Sequence, residues 1–383
     1  MPATVHNDVL IYKGSNLFRQ RLLLSTLSGR SIKIVEIRSS HDDPGLKEYE
    51  VNLIRLLDKI TNGSRVELSE TGTSMYYQPG ILIGGQVSHS CSTQRGIGYY
   101  LEVLLALGPF CKEPLNAVLQ GVTHHDLDVS VDKVKAAALP ILLKFILVDD
   151  GLELKVVRRG APPLGGGEIV FKCPVRRHLR PLQWTKWGLV KRIRGVVYAL
   201  RVSPTMANRV VEAAKGVMLK FLPDVYINTD QCRGPNAGKS PGFGVSLVAE
   251  TNENTFYCTE AKSAEAGAGE TTLPEDLGRA CALTLLDEIH RAGAVDSAFQ
   301  WLVALWMALG QKDVSECVVG PLSEYTIKFL QHLKEFFGVM FKLEVLTDDD
   351  EDSSEDEDKV TTAQKIKMTC VGIGYVNISK RTL

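Results

Sequence analysis

The order in which apolar patterns recur, more than any single motif, limits what this chain can fold into. A helical period over residues 17–27 gives way to the alternating run SIKIVEIR (31–38). A second helical period (46–61) follows, then RVELSETGTSMYYQPG (65–80), which alternates like a pair of strands. The order returns with the helical GYYLEVLLALG (98–108), the strand NAVLQGVT (116–123), a helix over 132–147, and the strands GLELKVVRRG (151–160) and GGEIVFKCPV (166–175). Near the end, helices over 276–291, 298–309 and 323–337 precede the strands MFKLEVL (340–346) and IKMTCVGIGYV (366–376). A period of about 90 residues built this way predicts stacked βα units, hence an α+β protein of three βα repeats.

Between the second and third copies the character changes. Residues 183–275 read as a smaller inserted α/β domain, leaving 1–182 for two repeats and 276–383 for the third. Inside the insert, Ser203 as N-cap and Pro204 at the first helical position open a helix over TMANRVVEAAKGVMLKFL.

Composition is that of a soluble globular protein of two or three domains: 383 residues, 44% hydrophobic and 23% charged. The most apolar stretch, AAALPILLKFILV (136–148), holds Pro140 and Lys144 and is too short to span a bilayer, so no membrane partner is expected. The start, MPATVHNDVLIYKGS, lacks a secretory pattern, and the eight cysteines include no C-x-x-C. An intracellular, reduced protein without structural metal or cofactor is the expectation.

The net charge of −1 conceals an asymmetry. TDDDEDSSEDEDK (347–359) carries nine acidic side chains, and setting those nine aside leaves an excess of about eight positive charges. This run reads as an acidic loop, with Ser353 and Ser354 set before its last acids as acidophilic kinases favour. A cationic body suits a polyanionic partner, although many soluble proteins carry such an excess and bind none. The cations concentrate in FKCPVRRHLRPLQWTKWGLVKRIRGVVYALR (171–201), which contains no acid. Arg176, Arg177, Arg180, Lys186, Lys191, Arg192 and Arg194, with Trp184 and Trp187 between them, are the candidate contacts to RNA or a partner. Basic groups neutralise phosphates while aromatic rings stack on unpaired bases. The alternative is a pair of strands with a solvated basic face and core tryptophans.

Other motifs carry less. GPNAGKS (234–240) has one residue too few between its glycines for a phosphate-binding P-loop. Pro241 and Gly242 forbid the helix a P-loop needs, so this stretch reads as a loop joining two strands and leading from the insert back to the core. His124, His125, Asp126 and Asp128 in HHDLD could reach a metal only if adjacent histidines shared a face, which a strand forbids. Gly96 and Gly98 make half of a dinucleotide fingerprint, and His332 reads as a partly exposed helix residue. No G-x-S-x-G, H-E-x-x-H or kinase set occurs.

GSNLFRQRLLLSTLSGRSIKIVEIR, PGLKEYEVNLIRLL, APPLGGGEIVF and SPGFGVSLVAET, in that order over nearly the whole chain, resemble the RNA 3′-terminal phosphate cyclases. The resemblance implies that family's architecture, three βα repeats with an inserted smaller domain, shared more distantly with enolpyruvate transferases. It also implies an anion pocket built from Arg19, Arg38 and the loop glycines Gly165, Gly166 and Gly167. The departures bear on activity. Active members carry an adenylylated histidine in the turn before the final long helix, whereas GPLSEYTIKFL places Glu324 or Tyr325 there. Their Asp-Gln pair becomes Gln300 and Trp301, their amino-terminal acid is lost within Tyr12, Lys13, Gly14, Ser15 and Asn16, and His41 replaces a second arginine. A phenol or carboxylate is a poor substitute for an imidazole that must accept and release AMP.

This pattern, with STQRGIGYYLEVLLALGP, resembles the nucleolar, non-cyclase branch of the family. That implies a ribosome-biogenesis factor of the small-subunit processome, partnered by a nucleolar GTPase, pre-rRNA and small nucleolar ribonucleoprotein. It implies no catalytic residue and no cofactor. The alternative is a site-specific pre-rRNA endoribonuclease, for which the residues supply no metal cluster or acid–base pair.

Overall fold

The computed structural model describes residues 9–148, 150–265, 267–269, 271–346 and 363–377, so the acidic run 347–359 lies outside the described residues. The first repeat comprises β1 (Leu10–Lys13), α1 (Phe18–Ser28), β2 (Ile32–Val35), α2 (Glu48–Ile60), β3 (Thr61–Asn62), β4 (Arg65–Leu68), β5 (Met75–Gln78) and β6 (Ile81–Leu82). Its sheet runs β1-β2-β5-β4, with the first pair parallel and the others antiparallel. A crossover helix returns the chain to the same edge, so β1 and β2 must run parallel, whereas the short connection from β4 to β5 forces the opposite sense.

The second repeat contains β7 (Gly84–Ser90), α3 (Ile97–Leu107), β8 (Glu113–Gly121), α4 (Val131–Lys133), α5 (Leu139–Ile146), β9 (Glu153–Arg158) and β10 (Gly167–Cys173), with a π-helical turn over Val134–Ala138 joining the two short helices. Its order, β7-β8-β10-β9, and its strand senses repeat the first sheet. The third repeat begins with β11 (Gln183–Trp184) and is then interrupted by β12 (Val190–Leu200), α6 (Pro204–Met218), β13 (Val225–Cys232), β14 (Gly242–Thr251), β15 (Phe256–Lys262) and α7 (Pro274–Arg291). It resumes with α8 (Gln300–Leu309), β16 (Val314–Val319), α9 (Glu324–Phe337), β17 (Lys342–Val345) and β18 (Ile366–Val371), in the order β11-β16-β18-β17. Three sheets of one topology are therefore the three repeats, and a fourth, β13-β12-β14-β15, is the insert's own.

Apolar residues all round a helix predict burial on every side. All of α3 (IGYYLEVLLAL) and all of α8 (QWLVALWMAL) are buried. They share one continuous core with α1 and the inner faces of the three sheets. Trp306 of α8 meets Phe145 of α5 at 5.5 Å between ring centroids, joining the second and third repeats. The insert has a second core, in which Val210 and Ala214 of α6 and Leu277, Cys281 and Leu285 of α7 lie over Val197, Val245 and Leu247. The helix over 276–291, read from sequence as the start of the third repeat, thus packs on the insert.

Two strands stop short of their sequence pattern. SIKIVEIR is extended only to Val35, because Glu36 and Arg38 take left-handed backbone angles (φ 57° and 46°) that turn the chain towards Gly45 and α2. IKMTCVGIGYV is strand only to Val371; beyond it the backbone bonds sideways, Ile373 N–H donating to Ala308 O and Gly374 N–H to Gly310 O. The GPNAGKS loop also lies elsewhere than expected. It joins β13 to β14, both within the insert's sheet, and does not lead back to the repeats.

Candidate functional site

Arg19, the second residue of α1, turns its side chain into the interior between α3 and α9. Its guanidinium pairs with Glu102 of α3, donates to the Tyr325 hydroxyl at 3.1 Å and to Tyr99 O at 3.3 Å, and lies 5.1 Å from the Tyr99 ring centroid. Burial works against that charge, but the Glu102 carboxylate and the Tyr325 hydroxyl outweigh it, and Arg19 is held cationic more firmly than a free arginine. Burial likewise pushes the Glu102 carboxyl towards its neutral form, opposed first by the adjoining guanidinium and then by a hydrogen bond from Trp301.

Two further pairs have the same design. Arg95 forks onto Asp128 (Nε to Oδ2 2.8 Å, Nη2 to Oδ1 2.5 Å) and lies over Tyr99 and Tyr49 at 4.4 and 5.2 Å. Arg38 forks onto Glu50 at 2.8 and 2.7 Å and donates to Tyr49 Oη at 3.3 Å. Glu50 also accepts the Lys47 N–H at the start of α2, so one carboxylate both caps a helix and holds an arginine. Fork-to-fork geometry makes these strong pairs. Each guanidinium already carries a carboxylate, so the cluster is close to neutral, a different state from an open anion pocket. Gly165, Gly166 and Gly167 lie apart from it. Their nearest non-neighbouring atoms belong to Gly121, Thr93, Gly160, Thr123, Gly238 and Lys239, with neither Arg19 nor Arg38 among them.

The turn expected to carry the family's nucleophile is the start of α9. Ser323 caps the helix by accepting the Thr326 N–H at 3.2 Å, and Gln300 Oε1 accepts from the Ser323 N–H and the Thr326 hydroxyl, both at 3.3 Å. Gln300 is thereby part of the turn's framework. Glu324 points to solvent, and Tyr325 packs edge-on against the buried Trp301, 6.0 Å between centroids. Among the described residues no imidazole contacts these atoms: His332, two turns on, faces α1. Expected to be partly exposed, it is buried, with Nδ1 3.2 Å from Gln20 Oε1 and its ring edge-on to Tyr12. At the amino-terminal end, Tyr12 donates to Glu335 Oε2 at 2.7 Å, Lys13 pairs with Glu36, and Gly14 O accepts from Arg21. His41 lies exposed in the loop after Arg38.

The HHDLD residues disperse to four partners. His124 Nδ1 meets the Tyr198 hydroxyl at 3.1 Å, His125 Nδ1 accepts the Leu127 N–H, Asp126 pairs with Lys262, and Asp128 holds Arg95. Among the described residues no group of three or more His, Cys, Asp or Glu could hold a metal ion. Gly98 is small for a packing reason, since a Cβ there would sit 1.8 Å from Val129 O.

The basic stretch divides in three. Arg176, Arg177, Arg180 and Lys186 lie on the crossing from β10 to β12, Arg176 donating to Val148 O at 2.9 Å, while Arg177, Arg180 and Lys186 are exposed. Lys191 and Arg192 share Glu250 of β14, and Arg194 forks onto Asp224. The tryptophans part company. Trp184 is 6% exposed with the Lys144 ammonium 4.0 Å from its ring centre, so it packs in the core and offers no face to a base. Trp187 is half-buried, 5.9 Å from Lys365 Nζ.

The three-repeat frame and its insert have a counterpart among known proteins. The RNA 3′-terminal phosphate cyclase family profile matches residues 10–343. This chain belongs to that family. Its relatives in the RNA 3′-terminal phosphate cyclase family include the "Probable RNA 3′-terminal phosphate cyclase-like protein" of Drosophila melanogaster, 57% identical with all of both chains covered. The human "RNA 3′-terminal phosphate cyclase-like protein" is 57% identical over 97% of each chain. The "rRNA processing protein rcl1" of Schizosaccharomyces pombe is 42% identical, again over 97% of each.

Proposed function

We propose that this chain is a ribosome-biogenesis factor of the small-subunit processome, supporting early pre-rRNA cleavages towards 18S rRNA without cyclase chemistry. The observation that carries the reading is the start of α9. There, Tyr325 accepts a hydrogen bond from Arg19 and Glu324 faces water, where AMP transfer needs an imidazole. The ion pairs of Arg19, Arg38 and Arg95 support it further, because an arginine committed to a buried carboxylate is a poor receptor for a triphosphate. The rRNA side of the proposal draws on the relative named as an rRNA processing protein. It fits a nucleolar location, a nucleolar GTPase and small nucleolar ribonucleoprotein as partners, and RNA contact through the exposed cations Arg177, Arg180 and Lys186.

The test has two arms. Pure protein incubated with labelled ATP and magnesium is expected to form no covalent adenylate. A pre-rRNA fragment spanning the first internal spacer is expected to bind and stay intact. A stable adenylate overturns the loss of cyclase chemistry. A clean cut, abolished by substitutions in this chain, makes the protein an endoribonuclease.

A further inference from the structure

The GPNAGKS loop and the triple-glycine loop, read apart in the sequence, dock on each other. Lys239 N–H donates to Gly165 O at 2.9 Å, and Leu164 N–H donates to Ser240 Oγ at 3.1 Å. The approach is as close as backbones allow. A Cβ on Gly238 would lie 2.7 Å from Arg159 O and 2.8 Å from Gly165 O, and one on Gly166 would lie 2.9 Å from Lys239 Cγ, both glycines having left-handed φ (61° and 85°). Arg159 fastens the seam from beneath, holding Asp132 of the second repeat at 2.6 Å and Asp230 of the insert at 2.6 Å.

Three cations crown this seam. β12 and β13 run parallel, with Leu200 opposite Cys232, so Arg201 and Arg233 leave adjacent carboxyl ends of two parallel strands. That is the edge at which open α/β sheets take ligands. Arg201 Nε donates to Gly238 O at 3.0 Å, which ties it to the loop that carries Lys239. Arg201, Arg233 and Lys239 are all exposed, and among the described residues none forms a salt bridge. On β12 the contrast is sharp, since Lys191, Arg192 and Arg194 are all paired with acids.

We propose that Arg201, Arg233 and Lys239, set on the docked glycine loops, form a site for the phosphodiester backbone of RNA. The inference rests on the RNA-binding part of the proposed function and locates it at the joint between the second repeat and the insert. Cations without carboxylate partners keep their full charge for phosphates, and the two loops hold them on a rigid base. Recognition here is by backbone charge, hence strongly salt-dependent and tolerant of sequence.

The experiment measures binding of a labelled single-stranded RNA of mixed sequence, by fluorescence anisotropy over a salt series. The full chain is compared with Arg201→Gln/Arg233→Gln/Lys239→Gln and with Lys33→Gln/Lys155→Gln/Lys220→Gln, which removes the same charge from exposed sites elsewhere. The seam variant is expected to bind about tenfold more weakly near 0.1 M salt and to lose about two from the slope of log affinity against log salt, at ~0.7 per phosphate contact. The control is expected to change affinity by less than about twofold. A seam variant that keeps the full chain's affinity and slope overturns the site while leaving RNA binding in place. Equal losses in both variants also overturn it, as an effect of net charge. Failure of the unaltered protein to bind RNA overturns the RNA reading itself, and the seam site with it. Circular dichroism and thermal unfolding of each variant separate these outcomes from misfolding.

Discussion

Arg19 and Glu102 make the clearest case for what single residues do here. Their side chains are 14% and 5% exposed, and among the described residues neither has a second partner of opposite charge. Removing one charge of a buried pair leaves the other unpaired, which is worse than removing both. Glu102→Ala is therefore expected to lower stability by about 3 kcal/mol in urea unfolding, with part of the loss recovered in Arg19→Met/Glu102→Met. If Glu102→Ala unfolds like the unaltered chain, the pair contributes nothing. Sequence drew attention to Arg19 and Arg38 but missed the acids that hold them, because pairing between separate elements, across repeats for Arg19 and within the first repeat for Arg38, leaves no spacing signal. One clue existed. Glu102 is the sole charge in GYYLEVLLALG, and a lone carboxylate in an otherwise apolar helix needs a buried partner. Trp184 shows the opposite failing, since composition alone could not distinguish a ring beside cations on a surface from one beneath Lys144 in the core.

At the scale of elements, the helical periods were legible to within a few residues because burial on one or all faces imposes them directly. Strand ends were less so, since Glu36 and Arg38 leave the extended region to serve a contact with α2 that local pattern does not encode. The helix α9 was placed correctly, yet the role of His332 on it was not, because exposure depends on what α1 and β1 bring to that face. Tyr12, Gln20 and Arg21 meet it from those elements, with Lys328 and Glu335 on its own helix. Burial, opposed by Glu335 and aided by Arg21 and Lys328, lowers the His332 pKa to about 4. An unfolded histidine titrates near 6.5, so the fold is favoured in full above about pH 6.5 and loses that contribution as pH falls towards 4. The expected loss by pH 4 is about 2–3 kcal/mol, at roughly 1.4 kcal/mol for each unit between the two values. His89, lowered to about 4 by burial with Lys59 and Arg55 adding, contributes a second loss of the same sign. Unfolding free energies of His332→Gln are expected to fall less steeply between pH 6.5 and 4 than those of the unaltered chain. Equal slopes would remove His332 from the account.

Among the described residues the molecule has two large hydrophobic cores, one spanning the three repeats and reaching Cys258 of the insert, the other within the insert. They meet at a seam of polar pairs with a small third cluster of Ala161, Tyr198 and Leu200. The repeat order was legible because three copies of one topology repeat their pattern of periods. The seam was not, since it joins HHDLD, the glycine loop and β15 through side chains far apart in the chain. At its centre Lys133, mostly buried, lies 3.4 Å from the fully buried Asp296, which outweighs the effect of burial and keeps the lysine charged. Asp296 also accepts the Cys258 N–H of β15 at 2.8 Å and caps the turn before α8 through the Ala298 N–H at 2.9 Å. One carboxylate thus ties the second repeat, the insert and the third repeat together. Asp296→Ala strands a mostly buried ammonium and a buried amide, and is expected to cost about 2–4 kcal/mol. Because the insert has its own core, that loss should fall on its docking before its folding. Native-state hydrogen exchange is expected to show amides of β15 and the Asp296 turn opening first, ahead of those in α6 and of the β1–β2 ladder in the first repeat. Uniform acceleration across the sheets of insert and repeats alike would instead mean that they unfold as one cooperative unit, with the seam no weaker than either core.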